Sequence, residues 1–434
     1  MKKIRAILIG AGGRGFAYVY YMSFLRDKYQ VVAVADPSEP QRRSVQEMWG
    51  FSEENCFHDW QEILSKPKMA DVAIIATLDD MHREPALAAI EKGYDILLEK
   101  PVAQTAQECV DIALAAEKKG VKVLVCHVLR YAPFFVRVKE LLRSGIIGKP
   151  MTINMVEAVG DNHYSRSYIR GKWHSEKEST PMLLAKCCHD LDCIQWFMDQ
   201  PCEKVQSFGE LTYFREENAP EGAPVRCADG GCPVGDTCPY DCMKIYYNDK
   251  TKVAWRNQIT RGSTKDYDAT DEEVMHALKT TDYGLCVFHA NNDVVDHQTV
   301  NMYFRGGATA TLTMNAFNKG GRYVRIYGTK GELHAYASAD EIEVYTFADE
   351  KTQKIPVKAT IESIEGGHGG GDKGIVEELY DYLNGTYTGF QAADIMTSVK
   401  NHLIGFGAEE ARRSDTVVDL NEFFKQYNMK NEYT

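Results

Sequence analysis

The stretch ILIGAGGRG, residues 7–15, runs from an apolar segment straight into Gly10, Gly12 and Gly15, a GxGxxG spacing, and then into a helical pattern. Each glycine answers a physical need: Gly10 a tight turn, Gly12 close approach of the main chain to a diphosphate, and Gly15 close packing of the next helix on the strand. Phosphate is received by the unpaired N–H groups at such a helix start, so Gly13 and Arg14 join the three glycines as the expected cradle. The next apolar run, VVAVAD, ends at Asp36, about twenty residues on, where a carboxylate accepts hydrogen bonds from ribose hydroxyls. Strand, helix and acid at these distances predict a dinucleotide site. Asp36 would repel a 2′-phosphate, so the sequence favours NAD over NADP, although Arg42 and Arg43 follow closely.

Outward from this stretch, IRAILIG, VVAVAD, DVAIIAT, YDILLEK and VKVLVCH read as strands separated by helical stretches such as 85–92 and 105–119. Strands alternating with helices give βαβ units and a parallel sheet, so residues 1–128 are expected to form a Rossmann domain. Past Arg130 the rhythm changes to a helix at 134–144, a strand at 151–159 and a helix at 181–198, the last with Thr180 and Pro181 as N-cap and first turn. Antiparallel strands are then expected at 294–304, 308–317, 323–328, 333–337 and 341–347, and helices at about 374–384 and 392–412. The fold class is α/β. Residues 129–434 form the expected α+β second domain, with a cysteine-containing insertion at about 215–270.

Composition narrows the function classes. Apolar residues are 44% and charged residues 26% of the 434, the balance of a globular protein. A formal net charge of −12, spread along the chain, argues against nucleic acid or an anionic membrane as partner. No apolar run is long enough to cross a bilayer. Twelve cysteines, several in expected strands and helices, suit a reducing compartment, and a cytoplasmic location is expected.

At Glu99-Lys100-Pro101 the sequence becomes more specific. The segment AIIATLDDMHREPALAAIEKGYDILLEKPVA, taken with the glycine motif, resembles the glucose-fructose oxidoreductase and inositol dehydrogenase family (Gfo/Idh/MocA), and RYAPFFVRVKELLRSGIIGKP fits as well. CCHDLDCIQW, VVDHQTVNMYF and IYGTKGEL extend the likeness along the chain. The resemblance implies a second domain with an open, mostly antiparallel sheet, an active site between the domains, sugar or cyclitol substrates, and a homodimer or homotetramer. It implies that Lys100 sits beside nicotinamide and substrate, and that His189 is the proton acceptor. Many members carry an Asp one helical turn before that His; this chain has Ala185 there and Lys186 beside it.

Oxidising a secondary alcohol needs a base of near-neutral pKa for the hydroxyl proton and a cation for the developing alkoxide. His189 and Lys100 are the right types. On one helix, Lys186 and His189 would share a face, and the Lys186 cation is expected to keep His189 neutral; the plain alternative is a helix-face histidine bonded to Asp190 or Asp192. Thr77, His82 and Glu99 are expected beside the coenzyme, at the carboxyl ends of parallel strands. Tyr131, Arg170, Trp173, His174, Lys186, Asp190 and His297 are the candidate substrate contacts, aromatic and hydrogen-bonding groups being suited to a sugar. The expected activity is oxidation of a ring hydroxyl with NAD; a glycoside hydrolase working by transient oxidation is the alternative that Ala185 and Lys186 keep open.

The loop RCADGGCPVGDTCPYDC places Cys227, Cys232, Cys238 and Cys242 close together. Soft ligands in a loop lacking its own core suit zinc, but the spacing is not that of paired CxxC motifs, and an unmetallated loop is expected. The glycine run 366–372, with His368 and Asp372, reads as a turn that lets backbone approach a ligand.

Overall fold

The computed structural model describes residues 3–260, 268–357 and 367–432. Residues 261–267 of the expected insertion and Gly366 of the glycine run lie outside them. The N-terminal part is β1 (Ile4–Ile9), α1 (Gly13–Ser23), β2 (Tyr29–Ala35), α2 (Glu39–Trp49), β3 (Cys56–Phe57), α3 (Trp60–Ser65), β4 (Val72–Ile75), α4 (Arg83–Glu91), β5 (Asp95–Leu98), α5 (Ala106–Lys119) and β6 (Val123–Val125). Their parallel sheet runs β3-β2-β1-β4-β5-β6. The strand order reverses between β1 and β4, and a crevice opens there outside the strands' carboxyl ends.

The chain then leaves through α6 (Pro133–Arg143) into β7 (Pro150–Ala158), α7 (Asp161–Tyr164), α8 (Met182–Ala185), α9 (Cys188–Met198) and β8 (Cys202–Glu210). Helices α10 (Val253–Thr260) and α11 (Asp271–Thr280) lie in the insertion, which has a small core of its own around Tyr246, Val274 and Leu278. Strands β9 (His297–Phe304), β10 (Thr309–Asn315), β11 (Gly321–Gly328), β12 (Gly331–Tyr336), β13 (Glu341–Thr346), β14 (Lys351–Pro356) and β15 (Val418–Asp419) follow. With β7 and β8 they build a nine-stranded sheet, β14-β13-β12-β11-β7-β10-β9-β8-β15, antiparallel apart from the β7–β10 pair. Residues on alternate positions, such as Gln298, Val300, Met302 and Phe304, face the core, because one side of this sheet is covered by helices.

Two features differ from the sequence reading. The helix expected over 181–198 is broken: α8 ends at Ala185, Cys187 leaves helical geometry, and α9 begins at Cys188. Its expected cap is also absent, because Thr180 Oγ1 is buried with no hydrogen-bond partner and Pro181 holds the N-cap position. The C-terminal helices, moreover, return to the first sheet. Tyr29 donates to the Val376 carbonyl at 2.8 Å, Val125 N donates to the Ala393 carbonyl at 3.1 Å, and Ile375, Val376 and Leu379 of the helix Gly371–Asn384 share a core with Leu8, Val19 and Val31. Among the described residues no helix is long and apolar enough to cross a membrane.

Candidate active site

The glycine turn has the geometry its spacing calls for. Gly10 has φ +87°, and a Cβ there would meet the Ala76 carbonyl oxygen at 2.5 Å; a Cβ on Gly15 would lie 1.9 Å from the Gly10 carbonyl oxygen. Both glycines are fixed by backbone packing. Gly12 differs, since a Cβ there would meet nothing within 4 Å. It opens the crevice side of the turn, at the start of α1, where no side chain caps the helix. Such an uncapped helix start, open on the crevice side, is the arrangement that suits a phosphate group. Asp36 closes the adenosine side, its carboxylate fixed by N–H groups of Ala11 and Ser38, each at 2.8 Å.

The side chains of Arg14 and Glu99 are paired. Arg14 donates to Glu99 at 2.7 Å and to both oxygens of Asp372 at 2.8 Å. Tyr18 donates to Glu99 at 2.5 Å, and Lys100 N donates to its other oxygen at 2.9 Å. Glu99 is buried, and it stays ionised because Arg14, then Lys100, outweigh burial. These side chains make an internal clamp that joins α1, the Glu99–Pro101 loop and the helix Gly371–Asn384. The glycine run makes this junction: a Cβ on Gly371 would sit 2.1 Å from the Val128 carbonyl oxygen, so only glycine lets Asp372 reach Arg14. His368, held by Asp372 at 3.1 Å, comes with it.

Lys100 projects from the clamp and donates its ammonium to the Ala185 carbonyl at 2.9 Å. One residue later the chain kinks, and α9 carries His189 into the same place. His189 is buried and neither ring nitrogen has a hydrogen-bond partner, which excludes the plain reading of a histidine bonded to Asp190 or Asp192. Burial depresses its pKa, and Lys100, then His368, His127 and Arg322, lower it further. The cation with the largest effect is Lys100. Lys186 acts on the adjoining His163 and His368 in the same sense.

Arg322 on β11 pairs with Asp190 at 2.8 Å and with Glu157 at 2.5 Å. Asp190, expected at the substrate, is thus consumed in a fully buried ion pair, though burial still raises its pKa to about 6. Lys186 stands 3.7 Å from Glu157. His163 on α7 faces Lys186, Arg166, Arg322 and His368, and burial with these cations holds it neutral. Behind His189, His127 lies with its ring 6.1 Å away, and Asp192 is held by Arg130 at 2.7 Å and by Asn401. His402 accepts from Val102 N at 3.0 Å and bonds the Ser398 carbonyl, bracing the lysine loop from the rear.

The other expected residues are placed as follows. His82 bridges the carbonyls of Pro101 and Thr77, and Thr77 donates to the Met81 carbonyl; both brace the loop after β4. Trp173 donates to Asp79 at 3.1 Å and lies beside Tyr168. Arg170 is committed to the carbonyls of Leu285 and Tyr240, so it anchors the insertion. His174 bonds the Gly171 carbonyl and lines, with Leu78 and Lys177, a cleft of about 580 Å³ on the flank of the centre. Tyr131 is buried against Gly374 with an unpartnered hydroxyl, and His297 pairs with Asp296 at the start of β9. In the insertion, the neighbouring Cys242 and Cys286 thiols, with Arg170 donating to the Cys227 sulfur at 3.8 Å, hold Cys227 well below the usual thiol range. Cys286 thus stands where the sequence suggested Cys232, and among the described residues no three His, Cys, Asp or Glu side chains are grouped to hold a metal ion.

The basic residues around His189 were not all legible in the sequence. Glu157 and Arg322 left a faint signal, being charged residues on the inward-facing positions of β7 and β11, in step with Ile153 and Met155 and with Val324 and Ile326. Tyr18, His127 and His163 left none beyond their residue type.

Residues 4–127 match the family model of an oxidoreductase family with an NAD-binding Rossmann fold, and residues 139–420 match that family's C-terminal alpha/beta domain. YteT of Bacillus subtilis is 27% identical over 342 residues, 75% of each chain. The 2,7-anhydro-N-acetylneuraminate hydratase of Escherichia coli is 24% identical over 203 residues, 46% of this chain and 51% of the enzyme, so the chain matches about half the length of that relative. A levoglucosan dehydrogenase solved in complex with NADH and L-sorbose superposes with a TM-score of 0.69 at 17% identity, covering 97% of this chain and 99% of that one.

Proposed function

The chain belongs to the Gfo/Idh/MocA family of NAD-binding oxidoreductases, and from that premise we propose that it oxidises a ring hydroxyl of a sugar, sugar derivative or cyclitol, with His189 and Lys100 as its catalytic residues. The observation that carries this reading is the pairing of a buried, neutral His189, both nitrogens free of partners, with the Lys100 ammonium. Bound NAD supplies the hydride acceptor. His189 takes the hydroxyl proton, for which a neutral imidazole is required. Lys100 stabilises the negative charge that grows on the substrate oxygen, and its bond to the Ala185 carbonyl fixes where that charge is received. Gly10, Gly12, Gly13, Gly15 and Asp36 hold the coenzyme in this reading, while Arg14 and Glu99 set the position of Lys100. Residues 1–128 carry the coenzyme side and 129–434 the substrate side.

A second reading is supported by Ala185 and Lys186 and by the likeness to a hydratase: an NAD-dependent glycoside hydrolase, in which transient oxidation to a ketone acidifies a neighbouring C–H, the glycosidic substituent is eliminated, water adds, and the hydride returns from NADH to the ketone, regenerating NAD. One assay separates the two. The NAD-loaded protein is incubated with sugars and aryl glycosides while NADH and released aglycone are followed together. Net NADH supports the dehydrogenase, aglycone without net NADH supports the hydrolase, and neither product overturns both. A cytoplasmic location belongs to the same reading, as does a homodimer or homotetramer formed through the open face of the nine-stranded sheet; the exposed Phe208, Tyr303 and Tyr323 support the latter.

A further inference from the structure

Lys186 is a charged residue at this centre that the proposed chemistry leaves unused. It is largely buried, with 14% of its side chain exposed, and its ammonium makes no hydrogen bond among the described residues; its nearest carboxylate oxygen, on Glu157, is 3.7 Å away. Lys186 faces Glu157 Oε1 beyond hydrogen-bond distance, while Arg322 stands 2.5 Å from Oε2 of the same carboxylate and 2.8 Å from Asp190. Around Lys186 stand Arg322 and Lys100 with Glu157 and Asp190, and both carboxylates are drawn to the guanidinium. The neighbours that act on His163 and His189 are all cationic. Asp372 is tied to Arg14 and His368, and Glu99 to Arg14. A buried ammonium with no hydrogen-bond partner is costly until an acceptor meets it.

We propose that Lys186 receives a carboxylate of the substrate, so that the ring oxidised beside His189 belongs to a sugar acid rather than a neutral sugar. One uncommitted ammonium matches one negative charge, which favours a carboxylate over a phosphate dianion; phosphate recognition draws on several donors, and Arg322, the guanidinium at this centre, is already engaged on two carboxylates. The inference rests on the redox reading for its location but not for its test.

The test is binding to the NAD-loaded protein by calorimetry, using methyl glycosides of D-glucuronate and D-galacturonate and the N-acetylneuraminate glycoside, each against its own neutral primary amide. At least one acid is expected to bind about tenfold or more tighter than its amide, with the advantage falling below about threefold in Lys186→Met and surviving in Lys186→Arg. Lys186→Gln serves if the methionine variant does not fold, and the wild-type ratio stands without either. Equal binding of every acid and amide, absence of binding by every acid, or an advantage untouched in a folded Lys186 variant overturns the inference. Acids that bind through Lys186 without NADH or aglycone being formed would defeat the redox reading and leave this inference standing; NADH from neutral sugars alone would do the reverse.

Discussion

Lys100 and Ala185 are joined by a 2.9 Å hydrogen bond from the lysine ammonium to the alanine carbonyl. The bond ties the loop after β5 to the last residue of α8, immediately before the chain turns to deliver His189. A cation held this way needs no reorganisation when charge develops on the substrate oxygen, which is the condition under which electrostatic stabilisation is most effective. Lys100→Met should lower kcat by roughly 10²–10³ with NAD affinity little changed, measured by single-turnover NADH formation and coenzyme titration. A variant with wild-type kcat would place Lys100 outside the chemistry.

His127 gives the fold an acid limit. It is fully buried, and burial brings its pKa down from 6.5 to about 4 despite Asp192 nearby. The folded state therefore binds a proton less readily than the unfolded chain. The stability concerned is present above the unfolded value and is lost as pH falls towards the folded one. A shift of this size corresponds to about 3 kcal/mol at full protonation of both states. Urea unfolding at about pH 7.5 and pH 4.5 should show a smaller acid loss in His127→Phe than in the wild type, and equal losses would assign the acid limit elsewhere.

The parts of this site that were legible in the sequence are those set by local spacing. Gly10, Gly12 and Gly15 announce their turn because backbone geometry demands glycine within a few residues, and Asp36 ends the very next strand. Lys100 was found through its own tripeptide. The rest depends on pairings between distant strands. Arg322 reaches Glu157 because β11 and β7 align these two residues as cross-strand partners, and no spacing in the chain encodes that register. The break at Lys186 was equally silent, since Pro and Gly, the usual signals of a helix break, are absent between Met182 and Met198. His368 could be noticed among its glycines, but only its fold back onto Arg14 shows why the glycines are there.

Arg322 is expected to matter more for folding than for chemistry. Removing it leaves Glu157 and Asp190 as two buried carboxylates with Lys186 alone to meet them. Arg322→Met should destabilise the protein by about 3–5 kcal/mol, read as a lowered urea midpoint at neutral pH. The loss should be smaller at about pH 5, where Asp190, whose pKa is already raised to about 6, is neutral in the folded protein. A pH-independent loss would count against an electrostatic origin.

Coenzyme choice turns on Asp36. Its carboxylate is held by Ala11 N and Ser38 N, each at 2.8 Å, so it is presented rigidly at the end of β2, with Arg42 donating to its backbone carbonyl. Asp36→Ser removes the charge that repels a 2′-phosphate and leaves Arg42 and Arg43 beside the ribose. The ratio of NAD to NADP affinity should fall by about tenfold or more, mainly through weaker NAD binding and improved NADP binding together. Titration of both reduced coenzymes by fluorescence checks this, and an unchanged ratio would remove Asp36 from the adenosine ribose.

Gly12 and Gly15 allow the fold and the coenzyme site to be separated within one turn. A methyl group on Gly15 collides with the Gly10 carbonyl oxygen at 1.9 Å, whereas one on Gly12 points into open space. Gly15→Ala must therefore move α1 away from β1 and should cost about 1–3 kcal/mol of stability, the usual scale of overpacking. Gly12→Ala should leave unfolding within about 0.5 kcal/mol of the wild type, as substitutions away from packed positions do, and yet weaken NAD by about tenfold or more, because the methyl occupies the path by which diphosphate approaches the amides of Gly13 and Arg14. Paired measurements of urea midpoint and NAD affinity on the two variants read the two losses independently. If Gly12→Ala bound NAD as the wild type does, the open space beside Gly12 would not be the diphosphate's, and the coenzyme would have to enter this crevice by another route.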